Sequence, residues 1–413
     1  MRVLHLSADY PDPVLPRKTG AVANLLRLAP GHEHHVWSLN RVPWHHSMTC
    51  SGFSDAAGDQ HRVLAYPAAP YGISMRRHLA SVTNAIVRIT EDAGNIPTAV
   101  HAHKLSVEGL VGAALAKRWN VPLLLSIQGN SDLKIVAAKP LLRGIYREIW
   151  QRAACVLPFA PWAADGLAAL LGRRDGPIRM LPCPTTADRL ISPVLRPNVI
   201  CSAFSFRDAA NKNARKLIRA VGMAAHDVPD MRLEIAGGGD ASVHAQLARL
   251  AETHAPGRVT FLGPVPHDAV QAMFNKCAGF AMVSRRESYG MVFAEALLAG
   301  TPCLIPRDRA LDGYFDDGSV VLTADPGNIA EIGAGLIRLI TRQAAMKSTL
   351  RALGSSGALD FLRRRSIGET YARTLDDLVP SRQQPVPATR TGPTRRAAAT
   401  RAALALSSPR CTA

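Results

Sequence analysis

Several protein classes are excluded by what this chain lacks. Hydrophobic residues make up 47% of its 413 positions, yet no run approaches the roughly 18 consecutive apolar residues that a membrane span requires. The opening MRVLHLSADYP offers one arginine and one short apolar run. That is too brief for a secretory signal and suits a first buried strand, so a cytoplasmic location is expected. The seven cysteines, at 50, 155, 183, 201, 277, 303 and 411, contain no C-x-x-C pair, and most fall in apolar strand-like segments where cysteine acts as a small hydrophobe. A disulfide framework is therefore not expected. Aromatic residues are only 5% of the chain, and with neither aromatic platforms nor a known module, specific nucleic-acid recognition is not expected.

Acid is the scarcer charge: 32 Asp and Glu stand against 49 Lys and Arg, a net +17. Residues 380–413 hold six arginines and no acid, so 17 less 6 leaves +11 on the body. A basic surface of that size favours anionic partners: nucleotides, phospholipid surfaces or nucleic acid. The tail itself is rich in Pro, Thr, Ala and Arg without periodicity, and is expected to be disordered.

What is present is a repeated rhythm. Short apolar runs, VLHLSA, HHVWSLN, TAVHAH, VPLLLSIQG, CVLPFA and IRMLPCP, are each followed by a turn and a helix-like stretch. After Pro197 the series restarts with NVICSAFSF, LEIAGGG, VTFLGPV, GFAMVSR, TPCLIP and SVVLTAD. Continuous apolar strands alternating with helices specify parallel sheets covered on both faces. At 413 residues two such domains are expected, each doubly wound and facing a central cleft. The boundaries are placed at 1–195, 196–360, closing helices over 361–379 and the tail from 380, with SPVLRPN as the seam. In open parallel sheets ligands bind beyond the carboxyl ends of the strands, which here line that cleft.

The stretch RRESYGMVFAEALLAGTP, residues 285–302, concentrates the chemistry. MVFAEALLA has helical spacing and ends at Gly300 before Pro302. Ser288, Tyr289, Gly290 and Met291 therefore bracket a helix N-terminus, where free N–H groups and the helix dipole attract a phosphate. Glu295 falls one turn into the helix, placed to accept two ribose hydroxyls, and Glu287 precedes the helix. Two carboxylates beside an anion site need compensating cations. AFSFRDAANKN supplies Arg207 and Lys212 after the strand that opens the second series, a planar fork and a point charge suited to a diphosphate.

Glu, seven residues, Glu in ESYGMVFAE, followed by ALLAGTP, resembles the donor-site motif of the GT-B glycosyltransferases of family GT4. FRDAANKN matches the spacing of that family's Gly-Arg-x4-Lys-Gly loop, with Asn213 where glycine is usual. DMRLEIAGGGD and RVTFLGPVPHDAV follow the family's order as well. The resemblance implies a retaining hexosyltransferase-type enzyme of polysaccharide biosynthesis that moves a sugar from a UDP- or GDP-linked donor to a hydroxyl of a glycan or lipid-linked saccharide. By the same resemblance Arg207 and Lys212 hold the diphosphate, residues 288–291 offer it their N–H groups, Glu295 grips the ribose and Glu287 touches the transferred sugar. No Asp-x-Asp stands at a strand end, which agrees with a reaction that uses no metal or other cofactor, its leaving diphosphate stabilised by fixed cations and N–H dipoles. In retaining members the acceptor attacks on the face the leaving group departs from, and no protein nucleophile is demanded.

Weaker signals remain. PRKTGAV places Gly20 either against donor or acceptor or simply at a helix start, with Lys18 nearby. SIQGNSD carries Gln128 where the family often has histidine. AGGGD, residues 236–240, reads equally as a nucleotide-lining loop or a plain turn. HEHH at 32–35 and HAH at 101–103 have no matching cysteine or carboxylate set, so structural or solvated histidines are expected rather than a metal site. Residues 133–152 mix Leu, Ile, Tyr and Trp with basic residues, as a helix on an anionic membrane at the inner face would. Two rival functions are a GT-B-like sugar-nucleotide epimerase, which needs converging acid and base groups, and a non-catalytic basic binding protein on the same scaffold.

Overall fold

The structure is a computed structural model that describes residues 1–55 and 58–378; the basic tail, residues 380–413, lies outside the described residues. Seven strands form the first sheet: β1 (Arg2–Ser7), β2 (Glu33–Pro43), β3 (Thr49–Ser54), β4 (Gln60–Ala68), β5 (Ala99–Ala102), β6 (Leu123–Ile127) and β7 (Cys155–Pro158). Their order is β3-β4-β2-β1-β5-β6-β7, and every pair is parallel except β3 with β4. Six strands form the second: β8 (Val199–Ala203), β9 (Arg232–Ala236), β10 (Val259–Gly263), β11 (Gly279–Ala281), β12 (Cys303–Pro306) and β13 (Val321–Ala324). These run β10-β9-β8-β11-β12-β13, all parallel. Two doubly wound α/β sheets are thus present, as the restarted rhythm implies.

Three local expectations change. The hairpin β3–β4 is absent from the apolar series: β3 is nearly all exposed and carries no hydrophobic run, while β4 buries only the short apolar set Val63, Leu64 and Tyr66. IRMLPCP does not form a strand; Arg179 and Leu181 donate backbone bonds to Val156 and Pro158 beside β7, but the prolines limit further pairing. The strand expected over 199–206 stops at Ala203, and a 3-10 turn, Phe206–Asp208, takes over.

Each sheet has its own apolar core, and the helix Arg364–Asp376 packs Ile367, Tyr371 and Leu375 against the first, beside Val3, Val36 and Ala99. The connector 186–198 is stitched to the second layer: Ile191 N–H donates to Leu298 O, and Lys347 Nζ to Val194 O and Cys277 O. Gly300 is fixed by this contact. It has φ +74°, and a Cβ there would lie 2.7 Å from Pro193 Cα, so a larger residue is refused by both conformation and space. The carboxyl edges of the two sheets meet directly. Trp162 Nε1 donates to Ala310 O at 3.0 Å, Tyr314 Oη to Phe159 O at 2.8 Å, and Ala21 packs against the second core. Among the described residues no helix is long and apolar enough to cross a membrane.

Candidate functional site

In the second sheet the chain runs outward from β8 to β9 and β10, then returns to β11 on the other side of β8. That reversal is the topological switch point, where the loops after β8 and β11 part and leave a crevice. Arg207 and Lys212 lie on the first of these loops, and Glu287 to Met291 on the second. The loops are knitted together: Arg285 N–H donates to Asn211 O at 2.8 Å and Asn211 Nδ2 to Arg286 O at 3.1 Å.

Asn213 caps the helix Ala214–Ala224 with φ +61°. Its side chain donates to Val283 O and Pro326 O at 3.0 and 2.9 Å. This accounts for asparagine where glycine is usual, since asparagine tolerates the left-handed conformation and here adds two bonds that a glycine lacks.

Lys212 Nζ forms an ion pair with Glu287 Oε2 at 2.7 Å, both side chains mostly sheltered, and Ser284 Oγ donates to the same oxygen at 3.2 Å. Beyond Glu287 the chain turns at Gly290, φ +71°, into the helix Met291–Leu298. A Cβ at Gly290 would stand 2.5 Å from Phe293 and 3.1 Å from Glu287 Cγ. Among the described residues, none of the N–H groups of Ser288 to Met291 donates to a protein acceptor. A row of free amides, a helix N-terminus and a sheltered ammonium therefore share one place, which is what an anion site requires. The Tyr289 ring is buried and meets Phe159 edge-on, bracing this turn against the first sheet.

Arg207 sits apart from that pair. It is exposed on the 3-10 turn after β8, its stem against Gly239, and among the described residues it forms no ion pair. The AGGGD loop is thus the floor under Arg207, at the carboxyl end of β9.

The helix Met291–Leu298 is apolar except for Glu295, which is 7% exposed. Thr185 Oγ1 donates to its carboxylate, and Gln271 Nε2 to its backbone carbonyl at 3.4 Å. Burial raises the Glu295 carboxyl above its ordinary range, with Thr185 and His267 pulling it back. His267 in turn meets the Thr186 hydroxyl. Thr185 and His267 escape the sequence reading, because PTTAD and VPHDAV carry only ordinary turn residues and their approach to Glu295 is set by tertiary packing.

On the first sheet the order reverses between β1 and β5, and there Lys104 pairs with Asp9 at 2.6 Å. Glu108 is buried beside them and accepts the Ala8 N–H at 3.0 Å; burial pushes its carboxyl up to about 7, against the pull of Lys104. Lys18 is not a free cation for a ligand. Its ammonium is shared among Asp12, Ser38 and Asn40, so all three of its protons are used to fold the loop after β1. Gly20 is exposed at the start of the short helix Ala21–Leu26, next to the second core. Gln128 follows directly on β6, its N–H donating to Asp132 Oδ2 at 2.9 Å. Asp132 also receives the Leu105 and Gly129 N–H groups, while burial pushes it up to about 6.

The segment 133–152 is not one helix. It breaks at Pro140 into Asn130–Ala138 and Arg143–Arg152, and Val136, Tyr146, Ile149 and Trp150 are core. Only Leu141, 95% exposed, remains outward among the large apolar side chains of this stretch.

Comparison with known proteins agrees with this geometry. The family Glycosyl transferases group 1 matches residues 194–355, and the Glycosyl transferase 4-like domain matches residues 17–184. A glycogen synthase of Mycobacterium tuberculosis is 23% identical over 87% of this chain and 91% of its own length. A D-inositol 3-phosphate glycosyltransferase of Mycolicibacterium smegmatis is 28% identical over 61% of this chain and 62% of its own. Among solved structures, sucrose-phosphate synthase from Thermosynechococcus elongatus superposes with a TM-score of 0.65 at 18% identity, over 92% of this chain and 99% of that one. HepE from Anabaena, in complex with UDP and glucose, does so at 0.61 and 17% identity, over 91% and 100%.

Proposed function

From a chain that belongs to the GT4-type glycosyltransferases of GT-B fold, we propose a retaining enzyme that transfers a hexosyl group from a UDP- or GDP-linked sugar to a hydroxyl of a glycan or lipid-linked saccharide. Residues 196–360 take the donor and residues 1–195 the acceptor. The observation that carries the reading is the Lys212–Glu287 pair beside the free amides of Ser288–Met291, at the switch point of the second sheet.

In this reading the diphosphate lies on those amides between Lys212 and Arg207. As the glycosidic bond breaks, charge grows on the leaving phosphate oxygen, and fixed N–H dipoles and cations stabilise it without reorganising. Glu287, held by Lys212 and Ser284, faces the sugar. Glu295 exchanges its Thr185 hydroxyl for ribose hydroxyls, which suits a carboxylate kept in place but only lightly solvated. Gly20 closes the donor from the first sheet, and Gln128 with the Asp9–Lys104 edge receives the acceptor. The acceptor hydroxyl attacks the face the diphosphate leaves, and a phosphate oxygen takes its proton.

The exposed Leu141 and Ile73 beside Arg76, Arg77 and Arg143 support peripheral contact with the inner face of an anionic membrane, where lipid-linked acceptors are found. Calorimetric titration with UDP- and GDP-sugars, followed by nucleotide release with an acceptor extract, tests the reading. Binding that Lys212→Ala and Glu295→Ala weaken is expected; a folded protein that binds no nucleotide overturns it.

A further inference from the structure

The two faces of the first sheet differ. Parallel strands buried on both sides normally carry apolar residues on both, and Leu4, Leu6 and Val100 obey this on one face. The other face sets His5 of β1 opposite His101 of β5, with His34 of β2 and His103, just past β5, on either side. The helix Arg364–Asp376 lies over this face, and Tyr371 Oη meets His101 Nδ1 at 2.9 Å. His5, His101 and His103 are at most 1% exposed.

The hydrogen bonds fix the tautomers. His34 Nε2 lies 3.0 Å from Ala29 O; a carbonyl only accepts, so His34 carries its proton there and its Nδ1 is a lone pair. His5 Nε2, 2.9 Å away, must donate to it. His5 Nδ1 is then a lone pair aimed at His103 Nε2 at 3.2 Å. His103 Nδ1 is buried with no hydrogen-bond partner, so no acceptor or donor there opposes a change of tautomer. One nitrogen from each of His5, His101 and His103 lies within 4.8 Å of the other two.

We propose that His5, His101 and His103 form a site for a divalent d-block cation of the zinc class, a group for which neutral imidazole is a preferred ligand. His5 already presents a lone pair, and His103 needs only to move its proton from Nε2 to Nδ1 to present a second, with no net proton release. Two ligands on zinc at about 2.1 Å in tetrahedral geometry are separated by roughly 3.4 Å, near the 3.2 Å between these nitrogens. Outer partners that orient metal-bound imidazoles are in place: His34 on His5, and Ser126 and Tyr371 on the two nitrogens of His101, one of which remains when the other binds. His34 and His32 line a cavity of about 560 Å³ at the edge of the sheet, a route for the ion from solvent. The bound ion ties β1 to β5 and to His103 just past it.

The test uses the whole chain, stripped with a chelator and titrated with CoCl2 and then ZnCl2. One equivalent of Co2+ with the visible absorption of a tetrahedral site, displaced by Zn2+, and a higher unfolding temperature with either ion are expected. Zinc-edge X-ray absorption should show imidazole nitrogens at about 2.0 Å. Folded His5→Gln and His103→Gln variants lose the equivalent, whereas Asp59→Asn, which alters the cavity's exposed carboxylates near His61, keeps it. The inference is overturned if the folded native chain takes up no ion, or if uptake survives His103→Gln and disappears with Asp59→Asn. Should the histidine variants not fold, the absorption spectrum of the native chain decides, and a shell of oxygen ligands without imidazole rejects the site.

Discussion

Lys212 Nζ and Glu287 Oε2 stand 2.7 Å apart although 75 residues separate them in the chain. The pair couples the loop after β8 to the turn that opens the helix Met291–Leu298, so the cation proposed for phosphate and the carboxylate proposed for sugar hold one another in place.

Replacing either partner should therefore give different kinetics. Lys212→Ala is expected to weaken donor binding and to lower kcat by about 10²–10³-fold, the loss seen when one preorganised donor is removed from a developing negative charge. Glu287→Gln leaves Lys212 free and should preserve nucleotide-diphosphate affinity while transfer falls. Equal loss of UDP affinity in both variants, read by calorimetry, would assign the pair a purely structural role.

Glu295 and Thr185 predict a graded effect on the nucleoside. A hydrogen bond to a charged group is worth about 1.5–3 kcal/mol, so Glu295→Gln should weaken the binding of nucleoside diphosphates roughly tenfold or more. Thr185→Val removes the hydroxyl that the ribose is proposed to displace and leaves the carboxylate less satisfied in the empty site; its affinity should not fall and the empty protein should be less stable. Calorimetry and thermal unfolding of the two variants separate these outcomes.

At Gly290 both the positive φ and the nearness of Phe293 oppose a side chain. Gly290→Ala should cost about 1–2 kcal/mol from the backbone conformation alone, together with the displacement of Phe293. Donor affinity is expected to drop along with the unfolding temperature, since the same turn aims the free amides. A variant with a lowered unfolding temperature and intact donor affinity would show that the turn does not position the ligand.

Lys347 gives a pH dependence. It is 2% exposed, and burial holds its ammonium down to about 8. The folded chain releases this proton near pH 8 and the unfolded chain keeps it to about 10.4. Between those values the unfolded state binds more protons, so this group makes stability rise with pH, by about 1.4 kcal/mol per unit at most. Lys347→Met removes that component. Denaturant unfolding from pH 7 to 10 should show a steeper rise in the native chain than in the variant; parallel curves would mean that the proton is retained.

The metal expectation for HEHH and HAH shows where sequence stops. Each motif is incomplete alone. The proposed ligand set takes one histidine from β1 and two from the β5 region, with His34 of the 32–35 motif behind them as an outer partner, and strand register, not spacing along the chain, brings them together.

The sequence by itself determined the two parallel α/β layers, because apolar strands buried on both faces leave an unmistakable run, and it determined the helix start at Gly290, because turn and cap residues act locally. It also foretold a cation beside Glu287, since a carboxylate at an anion site needs compensation wherever it folds. Only the tertiary structure decided that Lys212, not Arg207, meets Glu287, that Thr185 and His267 surround Glu295, and that Lys18 is spent on its own loop. Those outcomes depend on register and close packing between distant segments, whose geometry is a property of the assembled sheets and is written in no short stretch of chain.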